Sequence, residues 1–591
     1  MFTTRPELTG TFGMVASTHW LASQSGMAVL EAGGNAFDAA VAAGFVLQVV
    51  EPHMNGPLGE VPIIGHAAAT GETFVVDGQG PAPAGATVAH FADLGLDLVP
   101  GTGLLPACVP GAFGAWLALL QAHGTMRFGD VVSYAIGYAD GGYPLPVGAR
   151  DTIAAVADLF RTEWTDSAKV YLPGGGVPAA GSRFRNPALA AMFRRLADAA
   201  QAAGRDRDAQ LDAARAAFYD GFVAETIASY VDKNEALDSS GRRHKGVLAH
   251  ADLAGHRTRF EAPLTYDYHG YTVCKPGPWS QGPVFLQQLA LLAGFDLAGL
   301  PTDSAEFAHL VIECAKLAFA DREAFYGDPR WVDVPLDTLL GADYNADRRA
   351  LVGERASAEL RPGSPDGVPP RLPALPEWRG GAAVGIGEPT VARDGRTRGD
   401  TCHLDVVDRW GNMVSATPSG AWLQSSPVIP DLGVCLGTRG QMFWLTPGLP
   451  NSLAPGKRPR TTLTPSFALR DGAPYLAFGT PGGDQQDQWS LLFFLRHVHH
   501  GLGIQAAIDA PAWHTTHFPS SFWPRDSRPA EVHIEARADP ATIAGLRARG
   551  HDVVVTDPWS LGRVSAAGRA ADGMLKAAAN PREMQGYAVG R

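Results

Sequence analysis

Charge, cysteine and long apolar runs are all scarce in this 591-residue chain, and each scarcity removes a class of function. Charged residues are only 18% of the total and the net charge is -12, with a sequence pI near 5.8. With no run of Lys or Arg interleaved with aromatics, no basic face for nucleic acid is expected. The beginning, Met1-Phe2-Thr3-Thr4-Arg5-Pro6-Glu7-Leu8, has no apolar signal-like region. The longest apolar stretch, Ala39 to Val50, carries Gln48 and is too short to span a bilayer. A cytoplasmic protein without a membrane partner is the expectation. The five cysteines, Cys108, Cys274, Cys314, Cys402 and Cys435, are scattered and form no CxxC pair. That argues against a disulfide framework and a structural zinc site, and predicts free thiols, most of them buried. The histidine groups His497, His499, His500 and His514, His517 lack acidic or thiol partners at an orderly ligand spacing, so no metal and no cofactor is expected.

What the chain does contain is 46% hydrophobic residues, 69 Gly and 45 Pro, the composition of a globular, loop-rich enzyme. From Ser25 to Val50 the pattern predicts a helix, a stop at Gly33-Gly34-Asn35, and a second, almost wholly apolar helix that belongs in a core. Residues 73–77 read as a strand. Further helices fit 111–123, 128–140, 186–204, 210–233 and 305–326, so the first 350 residues are expected to be mainly helical. Between about 352 and 399 the composition turns to Pro, Gly, Arg and Glu, which predicts a long exposed connector. After it, residues 402–408 and 413–417 read as a hairpin around Gly411-Asn412, and 466–469 and 474–478 as two further strands flanking Arg470-Asp471-Gly472.

The sharpest chemical feature is Arg398-Gly399-Asp400-Thr401, set between the connector and the first strand of that sheet. A hydroxyl there can attack the preceding carbonyl, and hydrolysis of the resulting ester would free Thr401 as an amino terminus. An α-amine has an intrinsic pKa of about 7.7–8.0, low enough to take the hydroxyl proton, so nucleophile and base would share one residue. Acyl transfer also needs oxyanion donors, and Gly482 and Gly483 follow a strand in a form that lets backbone N–H groups face a ligand. The plain alternatives are an ordinary strand threonine and a tight glycine turn. Strand alternation points Cys402 to the face opposite Thr401, and His403 to the same face, where it reads as a hydrogen-bonded packing residue. Phe522-Trp523-Pro524 reads as packing.

In several ordered stretches the chain resembles the γ-glutamyltransferase (γ-glutamyltranspeptidase) family. They are Gly13 to Ser17, Glu31 to Val41, Val109-Pro110-Gly111, His309 to Arg322, Asp400 to His403, Lys457 to Pro465 and Gly479 to Gly483. The resemblance implies a helix-rich α/β protein folded as a four-layer αββα sandwich. It also implies cleavage at Asp400-Thr401 into an α-chain (1–400) and a β-chain (401–591) that together make one domain, with Thr401 as nucleophile. Ser419 falls where the family has a second, supporting threonine, and Gln441 on a substrate-contacting glutamine. Thr461 and Thr462 replace a serine pair beside the substrate carboxylate, and Gly482 and Gly483 match the oxyanion-hole pair.

Glutamate recognition departs from the family. Its carboxylate-binding arginine falls at or next to Gln79, its asparagine after the second threonine becomes Ala421, and its amine-binding aspartate falls near Trp444. The glycine-rich segment reads Gly56-Pro57-Leu58-Gly59-Glu60-Val61-Pro62 instead. An uncharged amide cannot give the bidentate pair an arginine offers a carboxylate, and each lost charged contact costs about 1.5–3 kcal/mol. Arg439 could bind a carboxylate from another direction, or be a solvated surface charge. The expected activity is hydrolysis of a small amide other than glutathione, with water as usual acceptor. Alternatives are a γ-glutamyl hydrolase or transferase with relocated contacts, an oxamate-type amidohydrolase, and a cephalosporin acylase-like enzyme. A processing-dead binding protein is the reading from a different class. The implied partners are a small-molecule amide, the two chains of one precursor, and a second αβ unit in a homodimer.

Overall fold

The computed structural model describes residues 2–374 and 401–591, so Asp400 and most of the expected connector lie outside the described residues. Two seven-stranded antiparallel sheets face each other. The first runs Tyr587–Gly590, Gly13–Ser17, Leu404–Asp408, Met413–Ala416, Ile63–Ala67, Glu72–Asp77 and Arg259–Glu261. The second runs Leu8–Gly10, Leu575–Ala579, Ser565–Arg569, Ala473–Gly479, Ser466–Arg470, Tyr271–Lys275 and Leu264–Tyr268. Both sheets combine strands from before and after the connector, which makes a single αββα sandwich.

Helices Trp20–Glu31 and Ala36–Val50 cover the first sheet, and Gly282–Leu292, Ala305–Phe325 and Gln486–His500 the second. All fifteen residues of Ala36–Val50 are buried, as its apolar sequence predicts. Asn35 starts that helix with a capping box: its side chain accepts from the N–H groups of Phe37 and Asp38, and Asp38 accepts from Asn35. Asp408, at the hairpin turn, accepts from Ala36 N at 2.9 Å and so fixes the helix to the strand that begins near Thr401.

Between the sheets, apolar contacts among Ile64, Val407, Met413, Phe467 and Ala567 are interrupted by polar bolts. His403 bonds Thr417 Oγ1 at 2.9 Å and Asp405 at 3.0 Å. Asp405 in turn accepts from Ser565 of the opposite sheet at 2.8 Å, and Ser415 donates to the Phe478 carbonyl at 3.2 Å. His403 is thus a packing residue of the sheet interface.

One expectation needs correction and two need refinement. The segment 210–233 is two helices, Arg207–Tyr219 and Phe222–Lys233, because Asp220-Gly221 breaks the ladder and Gly221 has a non-helical backbone. The largely helical first 350 residues also supply half of the strands in the two large sheets. Where it is described, the connector is irregular and largely exposed, but it is tied down at its start. Ser357 and Gly363 bond Glu313 and Asp321 of helix Ala305–Phe325, and Lys316 bonds the Ser357 carbonyl, so the chain from 352 is docked. Among the described residues no helix is long and apolar enough to cross a membrane. All five cysteines are free and buried.

The sheets approach closely where Gly479 meets His403: a Cβ on Gly479 would fall 2.4 Å from the imidazole. Gly479→Ala should therefore cost about 1–3 kcal/mol of stability, read as a lower denaturation midpoint. An unchanged midpoint would show that the glycine is not needed for this approach.

Candidate active site

Thr401 stands at the head of strand Leu404–Asp408, fully buried, where the backbone forms an antiparallel bridge to Ser419. Ser419 bridges on its other side to Glu60, with two reciprocal backbone hydrogen bonds of 2.9 Å. Residues directly opposite in a sheet project to the same face, so Thr401, Ser419 and Glu60 share one. Thr401 Oγ1 lies 3.2 Å from Ser419 Oγ. Arg439 closes the row: it donates to Ser419 Oγ at 2.7 Å and forms an ion pair with Glu60. Its guanidinium packs 5.2 Å from the Trp422 ring and 5.7 Å from that of Phe522. Arg439 is therefore buried and already paired, neither a solvated surface charge nor an unengaged carboxylate receptor.

The opposite face is as the alternation predicts. Cys402 donates to Glu51 at 3.0 Å and accepts from Asn55 at 3.1 Å. Glu51 also accepts from Thr18 at 2.7 Å and from Gln585. Burial pushes its carboxyl up to about 7 despite these donors. Burial, then the adjacent Glu51, also push the Cys402 thiol well up, so it stays protonated and un-nucleophilic.

His403, two residues from Thr401 on the same face, lies under Gly479, the last strand residue before the Gly482-Gly483 turn. There Gly482 (φ 125°) and Gly483 (φ 53°) take backbone conformations that favour glycine. A Cβ on Gly482 would also strike Trp489 at 2.3 Å. The turn opens helix Gln486–His500, whose first N–H groups and dipole favour negative charge. It is pinned from behind: Asp484 pairs with Arg322 and accepts from Ser521, and Arg322 donates to Gln281 at 3.0 Å. The fully buried Lys275–Asp487 pair, 2.8 Å, ties the helix start to strand Tyr271–Lys275. In the sequence, Arg322 is legible only as the end of a motif.

The remaining site candidates divide. Gln79 is buried after strand Glu72–Asp77; its Nε2 donates to the Gly80 carbonyl, and its Oε1 has no partner among the described residues. Neighbouring Asp77, raised by burial to about 6, pairs with Arg458 at 2.7 Å. Gln441 donates to the Gly101 carbonyl at 3.1 Å and accepts from Trp523 N at 3.2 Å. Thr461 donates its N–H to the Trp279 carbonyl at 2.9 Å, and Thr462 Oγ1 is buried without a partner among the described residues. Ala421 sits at φ 55°, a left-handed position that asparagine occupies more easily.

Trp444 does not open an apolar slot. Its indole N–H donates to Glu323 at 2.8 Å and its ring lies 4.3 Å under the Arg525 guanidinium. Burial opposes the charge of Glu323, but Arg460, Arg322 and Arg525 outweigh it and hold the carboxyl below its usual range. That carboxylate is committed to arginines. Elsewhere His309, Glu313 and His551 come together, a group the sequence spacing could not show. There Glu313 is engaged by Lys316 at 2.6 Å and Arg361 at 3.3 Å, and the two imidazoles bond each other at 2.8 Å. The arrangement reads as structural.

An αββα sandwich with a threonine heading a central strand is the architecture of the N-terminal-nucleophile hydrolase fold class. The sequence pattern described as gamma-glutamyltranspeptidase matches residues 22–590, and the chain belongs to that family. It is 31% identical to a glutathione hydrolase-like YwrD proenzyme of Bacillus subtilis, over 98% of this chain and 99% of that one. It is 32% identical to an oxamate amidohydrolase proenzyme of Klebsiella pneumoniae, over 98% of both. A solved structure titled LmbA2991HD is 59% identical, with a TM-score of 0.94 and full coverage of both chains. A cephalosporin acylase from Bacillus halodurans is 28% identical with a TM-score of 0.83, over 100% of this chain and 97% of that one. The protein is an enzyme acting on amide bonds.

Glu51 generates a pH prediction. Its folded-state pKa lies above that of a solvated carboxylate, so the folded state is favoured while the carboxyl is neutral. Stability is then lost as pH rises from about 4.5 to about 7. Glu51→Gln cannot ionise, so its stability relative to the parent should rise by about 3 kcal/mol between pH 5 and pH 8, measured by urea unfolding. A difference independent of pH would show that Glu51 titrates normally.

Proposed function

We propose that the chain is an autoprocessing N-terminal-threonine amidohydrolase that hydrolyses a small, polar but non-zwitterionic amide through an acyl-Thr401 ester. The observation that carries this reading is the buried Thr401 hydroxyl at the head of its strand, 3.2 Å from Ser419 Oγ. In maturation, Thr401 Oγ1 attacks the Asp400 carbonyl and the C–N bond breaks to leave an ester. Water cleaves the ester, giving an α-chain ending in carboxylate at Asp400 and a β-chain beginning with the free amine of Thr401. In turnover that amine takes the Oγ1 proton as Oγ1 attacks the substrate carbonyl. The oxyanion is met by N–H groups of Gly482 and Gly483, and the proton passes to the departing amine. Water then hydrolyses the ester.

The substrate class rests on which polar groups at the family's substrate-contacting positions are already committed. Gln79 stands where a carboxylate clamp would be needed, and the Trp444 site holds an arginine-bound carboxylate rather than a partner for an ammonium group. Gln79 Oε1, Arg439 Nη1 and Thr462 Oγ1 are buried without partners among the described residues, and such atoms call for hydrogen bonds. An uncharged acyl group rich in carbonyl and N–H groups satisfies them better than a glutamyl zwitterion. An oxamate-type amide departs from this description in one respect, because its acyl group is a carboxylate anion, although it carries no ammonium group. A γ-glutamyl substrate with relocated contacts and a glutaryl side chain of the acylase kind are the competing readings.

Denaturing electrophoresis with N-terminal sequencing should show two chains, the smaller beginning at Thr401. Thr401→Ala should remain one chain and lose at least 1,000-fold in turnover, about 4 kcal/mol of transition-state stabilisation. A wild-type protein that stays a single inactive band is the result expected of a processing-dead binding protein. Side-by-side assay of oxamate, glutaryl and γ-glutamyl amides ranks the substrates, with γ-glutamyl expected last.

A further inference from the structure

Two features that look like unrelated losses in the sequence are partners in space. Glu60 stands in the stretch that departs from the family's glycine-rich segment, and Arg439 lies 379 residues away. The backbone register brings Thr401, Ser419 and Glu60 side by side on one face, and Arg439 spans the last two. The bond from Arg439 occupies one lone pair of Ser419 Oγ. A hydroxyl that accepts from a cation is a better donor, and the Thr401 oxygen lies 3.2 Å away to receive its proton. The guanidinium is thus one hydroxyl removed from Oγ1, and the Nη2 that reaches Ser419 is also paired with the Glu60 carboxylate.

We infer that Arg439, backed by Glu60, is a positioning residue that turns the Ser419 hydroxyl toward Thr401 Oγ1 and lowers the proton affinity of the Thr401 amine. The inference rests on the proposal that Thr401 becomes an amino-terminal nucleophile. A positive charge nearby disfavours the ammonium form, so more of the amine is free to act as base near neutral pH. The Ser419-to-Thr401 bond leaves the Thr401 hydroxyl proton pointing away from Ser419, available to that amine. The packing of Arg439 against Trp422 and Phe522 keeps water from screening the pair.

Other titratable groups surround this row. Cys108 lies beside the Glu60–Arg439 pair. Glu51 with Cys402, flanked by the Arg563–Glu583 pair, occupies the opposite face of the strand. His19 and His53 stand beside them, both kept neutral by burial. The His403–Asp405 pair lies along the strand on the inner face, and Arg322–Asp484 behind the glycine turn. Substitutions at Glu60 and Arg439 change none of these groups, so their contributions are common to every profile.

The test reads the pH dependence of Thr401 acylation by 4-nitrophenyl acetate, with Thr401→Ala protein as blank. In Glu60→Gln the arginine charge is uncompensated, and the acid limb should move down by about one pH unit. That is the size expected for a unit charge roughly 7 Å away at an effective dielectric of about 30. In Arg439→Met the positive charge is lost and the limb should move up. The double variant should return it to within about 0.3 unit of the parent. If Arg439→Met does not mature, Arg439→Lys, which keeps the charge, should hold the parental limb while Glu60→Gln shifts. Equal loss of rate in both single variants with no opposite movement of the limbs would overturn the inference and make the pair a structural brace. Absence of Thr401-dependent acylation in the wild type would instead overturn the proposed function, and this inference with it.

Discussion

The antiparallel pairing of three strand ends, Thr401 with Ser419 and Ser419 with Glu60, is the constraint on which the site depends. An amino-terminal nucleophile has no residue before it to hold it in place once the chain is cut, so its position must come from the strand it heads and from the strands beside it. Here that strand is locked between Gly13–Ser17 and Met413–Ala416, and its inner face is bolted to the opposite sheet through His403, Asp405 and Ser565. The glycine turn is fixed independently by Arg322–Asp484 and by the buried Lys275–Asp487 pair. The proposed nucleophile and the proposed oxyanion donors are thus each held by one of the two sheets, which meet at Gly479 and His403. That is the pre-organisation acyl transfer needs.

Local signals in the sequence are sufficient wherever the structure is local. The apolar helix after Asn35, the hairpin around Gly411-Asn412 and the strands flanking Asp471-Gly472 all form as the patterning predicts. The helix break at Asp220-Gly221 is visible as a dipeptide but is outweighed by the apolar periodicity on either side. The docked start of the connector is not visible, because its polar composition resembles a loop and its anchors are hydrogen bonds to Glu313 and Asp321. For the same reason Glu60 and Arg439 are legible only as departures from a pattern. A salt bridge between residues 379 apart has no signature until the sheet register brings them together.

The charged side chains near the proposed site are paired with one another inside the protein. A buried carboxylate remains near Trp444, but it is Glu323 and it is neutralised by arginines. A buried arginine remains near the second hydroxyl, but it is Arg439 and it is held by Glu60. Both charges are held inside the protein by partners of opposite sign. Uncompensated burial of a charge costs several kcal/mol, so neither pair can be broken cheaply to receive a zwitterion.

The central claim is that Thr401 carries the acyl group as the first residue of its own chain. Acid-quenching the enzyme during turnover of an oxamate or glutaryl amide and measuring intact masses tests this directly. The account predicts a chain of residues 401–591 heavier by one acyl group, with fragmentation placing the added mass on Thr401. An adduct on Cys402 or any other residue, or turnover by a chain still joined at Asp400-Thr401, would contradict it.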